Sequence, residues 1–156
     1  MSQDVVSFLY TAMFTAQKTQ ELIAYWLESS REKLKTMESL YKTKRYPDCL
    51  FFGHLALEKA LKAFVVAHTR DHAPYIHNLV RLADLVGLDM STETRNLLAQ
   101  VNEFNLAARY PDFRLEFYRV CTKRYVDRFY KPLIHLHREL CRDIKQKKLP
   151  KRTHKR

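Results

Sequence analysis

Glycine is nearly missing from this sequence: there are two in 156 residues, beside five prolines. A set of strands needs turn residues to punctuate it, so an all-β fold is disfavoured. A P-loop or a dinucleotide-binding turn is written with several glycines, so a glycine-lined phosphate cradle is excluded as well. Cysteine is scarce too. Cys49, Cys121 and Cys141 are widely spaced and odd in number, which argues against a disulfide framework or a cysteine-based zinc site. That usage fits a reducing, cytoplasmic compartment. No apolar run approaches the roughly 20 residues that cross a bilayer, so no membrane partner is expected. The opening residues MSQDVVSFLY carry an acid where a secretion signal carries a base.

Leu, Ala, Lys, Arg and Glu are abundant, and all favour helices. The net charge of +11 is uneven: residues 145–156, KQKKLPKRTHKR, hold seven of the 28 bases and no acid. The rest of the chain carries only about +4. Such a tail contacts phosphates or is simply a solvated end.

Apolar residues recur with a helical period. Val5, Phe8, Leu9 and Ala12 mark a first segment over about 3–16, and Ile23, Leu27, Leu34, Met37 and Tyr41 a second over about 19–43, the two being separate helices or one continuous helix. Pro47 suits the first turn of a third helix, about 47–69. That helix carries Leu50, Leu57, Leu61 and Phe64 on one stripe and Gly53, Ala56, Ala60, Ala63 and Ala67 on another. Being apolar around most of its girth, it is expected at the centre. A short helix near 77–86 stops at Gly87, and Ser91 or Thr92 caps another over about 92–109. Pro111 ends the latter. A last helix is expected over about 114–147, kinked or split at Pro132.

Polar residues stand out against this pattern. Glu58, Lys59 and Lys62 lie on the third helix, with Glu58 and Lys62 four apart in the favourable order. Such a group is a rim ion pair or the lining of a polar cleft. Asn105 and Arg109 share a helix face, followed by Tyr110, Pro111 and Asp112. An arginine grips phosphate bidentately and a tyrosine stacks on a base. The competing reading is a helix cap in which Arg109 pairs with Asp112. His68 and His72 are four apart, but a loop over 70–75 spoils metal geometry, so no metal and no cofactor is expected. His77, at the start of the short helix, caps it or faces a cleft with a titratable ring.

Three stretches, LEKALKAFVVAH (57–68), IHNLVRLAD (76–84) and ARYPD (108–112), together resemble the signatures of HEPN domains in order and spacing. The resemblance covers about 20–146, leaving 1–19 as an N-terminal helical extension and 147–156 as a basic tail. It implies an all-α, four-helix up-and-down bundle, with one short extra helix, similar to the substrate-binding domain of nucleotidyltransferases. It further implies a homodimer with a polar cleft, often working beside a small nucleotidyltransferase. Apolar residues in surplus for one small bundle, among them Phe8, Leu9, Tyr118, Phe129 and Tyr130, point to a dimer as well.

Toxic members of the family are metal-independent ribonucleases that use an Arg, four to six residues, then a His. After Arg109 the corresponding positions are Arg114, Leu115 and Glu116, with no histidine. Arg70 to His77 and Arg128 to His135 fit the spacing, and only the first has a plausible cleft location. The expected function is therefore nucleotide or RNA binding, through Arg109, Tyr110, Asp112, Asn105, His77, Glu58 and Lys62. The alternatives are a ribonuclease toxin of a toxin–antitoxin pair, using Arg70 or Arg109 with His77, and a purely structural adaptor.

Overall fold

The computed structural model describes residues 3–146, with side chains from residue 15 onward except at 111, 113 and 114. Six helices run in the order α1 (Gln3–Lys42), α2 (Tyr46–Thr69), α3 (Leu79–Leu85), α4 (Thr92–Arg109), α5 (Pro111–Val120) and α6 (Lys123–Lys145). There is no strand among the described residues. The basic tail 147–156 and the side chains of Phe8 and Leu9 lie outside the described residues.

The central helix is α2. Leu50, Leu57, Leu61 and Phe64 are fully buried, and so are Ala60 and Ala63 on its small-residue stripe. The register of contacts gives the topology. Trp26 of α1 meets Lys59 and Lys62 of α2, Ser30 meets Ala56, and Met37 lies at Gly53. The numbers rise on one helix as they fall on the other, so α1 and α2 are antiparallel. Ser30 also meets His137, and Tyr41 stacks on Tyr130 with ring centroids 3.9 Å apart. Hence α6 runs antiparallel to α1 and alongside α2. The α3 and α4 helices close the other side of α2, and Phe104 of α4 packs edge-on against Phe129 of α6 at 4.9 Å.

One open boundary is decided and one expected boundary differs. The first and second segments are one 40-residue helix. No glycine or proline interrupts residues 3–42, and the hydroxyl of Thr19 donates back to the Thr15 carbonyl at 2.9 Å, satisfying itself within the helix. The long C-terminal segment does split, but at Cys121–Thr122 rather than at Pro132. Thr122 is extended (φ −75°, ψ 164°) and its hydroxyl accepts from the Tyr125 amide at 3.3 Å, an N-cap for α6. Pro132 is exposed within a continuous α6; the carbonyl that its missing N–H leaves free has access to water there. Phe129, expected in surplus, belongs to the protein's own core at 4% exposure.

At Gly53, α2 packs closely against α1 and α6. A Cβ there would lie 2.8 Å from Leu133 Cδ1 and 3.0 Å from Met37 Sδ. Gly53→Leu is expected to lower stability by about 1–3 kcal/mol through overpacking. Gly53→Ala should cost much less, because its better helix propensity, about 1 kcal/mol, offsets the crowding. Urea unfolding of both variants checks this; equal midpoints for wild type and the Leu variant would show the helices are not in contact there.

Candidate functional site

The middle of α2 buries charge. Glu58 is 1% exposed and Lys62 5%. Their spacing of four puts them on one face, and Lys62 Nζ stands 3.0 Å from Glu58 Oε1. At that distance the ammonium and the carboxylate form a close, buried ion pair. Lys59 Nζ is 3.9 Å from the same oxygen. Both ammonium groups also lie over the half-buried Trp26 ring, at 5.0 and 5.3 Å from its centroid, within cation–π range.

The second carboxylate oxygen belongs to His77. His77 Nδ1 donates to Glu58 Oε2 at 3.2 Å, while about half of the His77 side chain stays in solvent. The His77 carbonyl accepts from Nε2 of the fully buried His54 at 3.0 Å. That bond fixes the tautomer and turns the bare Nδ1 of His54 toward Oε2 at 3.9 Å, acceptor facing acceptor. Next along the chain, Asn78 caps α3 by accepting from the Arg81 amide at 3.0 Å. The Leu79 amide then donates to Asn102 of α4 at 2.8 Å. Residues 77–79 thus fasten α2, α3 and α4 together. The cap is Asn78, and His77 is left to face the carboxylate.

Burial pushes the His54 pKa down to about 4, against the raising effect of the Glu58 charge; Arg109 adds a smaller lowering effect. Arg109, the last residue of α4, is therefore close enough for its charge to act at the cluster. For Glu58, burial works to raise the pKa but is outweighed by Lys62, His77 and His54, and the carboxyl is held below its ordinary value. Burial lowers the Lys59 ammonium.

Glu58, Lys62 and His77 are thus brought together, with Arg109 near. Arg109 is exposed and has no carboxylate partner among the described residues, Asp112 included. Asn105, one turn earlier, keeps a buried Oδ1 with no hydrogen-bond partner among the described residues. Tyr110 is extended and 54% exposed, and Asp112 is exposed in the first turn of α5. No contact links either of them to the Glu58 cluster among the described residues. Arg70 is not brought to His77. It is the left-handed C-cap of α2 (φ 60°), roughly 18 Å along the helix from Glu58. There it lines a groove with Thr19, Gln20 and Lys145. Sequence reasoning misses His54, Trp26 and Asn102 as members of the site. Only His54 carries a signal, a histidine four before a glutamate on an apolar helix. Among the described residues no group of His, Cys, Asp and Glu is arranged to hold a metal.

The class is an all-helical bundle with a polar cluster on its central helix. A family model described as HEPN domain matches residues 23–146, and the chain belongs to the HEPN family. The crystal structure of TT1696 from Thermus thermophilus shares the fold with a TM-score of 0.64 at 18% identity, covering 80% of this chain and 97% of that one. No curated protein matches. No helix among the described residues is long and apolar enough to cross a membrane.

Acid should unfold this protein early. His54 and His137 are both held neutral, burial lowering each pKa from 6.5 to about 4. On acidification the unfolded chain takes up protons first, so stability that is full above pH 6.5 is lost as pH falls toward 4. Glu58 adds a loss of the same sign at lower pH. Denaturant melts at pH ~7 and ~4.5 should differ by several kcal/mol; a flat profile means that the two rings are already charged or solvated in the fold.

Proposed function

We propose that this HEPN protein is a homodimer that binds a nucleotide or RNA in a polar cleft built on the Glu58 cluster, beside a small nucleotidyltransferase partner. The observation that carries the reading is the buried Glu58–Lys62–His77 network, with the charge of Arg109, which has no carboxylate partner among the described residues, acting at His54. Arg109 offers a planar fork to phosphate. The exposed Tyr110 supplies a stacking face. The buried Oδ1 of Asn105, with no hydrogen-bond partner among the described residues, is an acceptor suited to an amino or hydroxyl donor of a base or ribose. In this reading Asp112 accepts from a ribose hydroxyl. Dimerisation covers the exposed apolar side chains at the α4–α5 end, Leu106, Leu115 and Val120. A ribonuclease reading has less support, because the turn after Arg109 carries no histidine and Arg70 stands apart from His77.

Arg109→Ala is expected to weaken ATP or short-RNA binding by about 1.5–3 kcal/mol, measured by calorimetry. The melting temperature should barely move, since an exposed helix-end charge contributes under about 1 kcal/mol. Arg109→Lys should recover only part of the affinity, keeping charge but not the fork. Normal binding with an early melt would make ARYPD a helix stop and nothing more. Sedimentation should give a species near twice 18.7 kDa; a purely monomeric protein removes the dimer from the reading.

A further inference from the structure

A groove of about 400 Å³ opens where α2 and α6 both end against residues 19–27 of α1. It shares no residue with the Glu58 cluster. Its floor is apolar. Ile23 and Leu27 of α1 lie across from Ala67 of α2 and Ile144 of α6, and Leu27 and Ile144 are buried. The buried Thr19 hydroxyl beside them donates to the Thr15 carbonyl at 2.9 Å and is committed to its own helix.

The rim is cationic. Arg70, the left-handed C-cap of α2, and Lys145, the last residue of α6, are both exposed, and no carboxylate lines the groove. Neither has an ion-pair partner among the described residues. The acids nearby in the chain are engaged elsewhere: Glu21 with Lys18 at 4.0 Å, Glu28 with Arg31 at 3.1 Å, and Asp71 with the His72 amide at 2.7 Å. A cation at a helix C-terminus is favoured by the helix dipole even with no ligand. The dipole does not account for an apolar hollow beside two such cations, left open to water.

Two features select the occupant. The volume falls in the range of about 300–1,000 Å³ over which proteins hold small molecules, in sites that are mostly apolar with a few placed polar groups. In addition, none of the large apolar side chains exposed on the described surface lines the groove. The apolar area is thus confined to the floor, with no wider face for a protein partner or a bilayer. We infer that this groove binds a small amphiphilic anion, a carboxylate on an unbranched alkyl chain. The chain lies on the floor of Ile23, Leu27 and Ile144, and the carboxylate stays at the rim with Arg70 and Lys145. Arg70 offers it two parallel N–H donors, and Lys145 adds a compact charge.

The test titrates the full chain with decanoate, below its micellar concentration, by calorimetry. Binding should become more exothermic on warming, the negative heat-capacity change of apolar burial. Decanol, which lacks the charge, and butyrate, which lacks the chain, should each bind more weakly. Arg70→Gln/Lys145→Gln should lower decanoate affinity about 5–10-fold, the contribution of two exposed ion contacts. Ala24→Phe, at an exposed position of the lining, should fill the groove and abolish binding. Both variants should melt with the wild type. A wild type without affinity for decanoate overturns the inference, as does an unchanged affinity in either variant. Decanol binding as tightly as decanoate overturns it too, by removing the cations from the site. Binding to oleate-doped vesicles but not to free decanoate makes this face a membrane contact and overturns it as well.

Discussion

A carboxylate buried inside the central helix is the constraint on which the upper half of this bundle is organised. At 1% exposure, Glu58 carries a desolvation penalty that only close partners offset. One partner, Lys62, comes from the same helix and needs only spacing. The other, His77, comes from a segment that has left α2 and must be brought back to it. Its return sets the path of everything that follows. With His77 held by Glu58 through its ring and by His54 through its carbonyl, Asn78 and Leu79 fall in place to cap α3 and bond to Asn102. Three consecutive residues thereby determine how α3 and α4 sit on α2.

A second buried polar tie does for α1 and α6 what this one does for α3 and α4. Ser30 is fully buried on α1, donates to the Ala56 carbonyl of α2, and accepts from His137 of α6. A helix carbonyl that takes a side-chain donor in addition to its own ladder bond requires close approach. The small residues Gly53, Ala56, Ala60 and Ala63 provide that room along α2. Apolar packing supplies most of the stability in such a bundle, but it is tolerant of rotation about a helix axis. Directional bonds at Ser30 and Glu58 remove that tolerance and fix which face of α2 meets which neighbour.

Much of this was legible in the sequence where a single local rule decides the outcome. The two-stripe pattern of α2, the proline in its first turn, Ser91 before α4 and Gly87 after α3 each act over a few residues, and the helices they bound lie within two residues of expectation. The Glu58–Lys62 pair follows from spacing alone. Boundaries with competing local rules were harder to read. Pro132 is the strongest breaker in the last third of the chain, yet the helix continues through it on an exposed face. Thr122 ends one helix and caps the next with no glycine or proline to announce it. Long-range partners were illegible for a different reason. Nothing near His54 in the chain indicates that its acceptor is the carbonyl of residue 77, and nothing near Ser30 indicates a histidine 107 positions away.

Stability is a poor reason for the Glu58 cluster to exist. A buried ion pair rarely offsets its own desolvation, and apolar residues of similar volume commonly do as well or better. The rest of α2 is built of such residues, so an apolar continuation through positions 54, 58 and 62 was available to the same helix. The cluster is also imperfect as a structural network. The bare His54 Nδ1 has no donor among the described residues, and a partly satisfied network is less favourable than an apolar core. What it does provide is a fixed carboxylate, a positioned ammonium and an imidazole with one edge in solvent. Those features cost folding energy and suit the recognition of a polar, phosphate-bearing ligand.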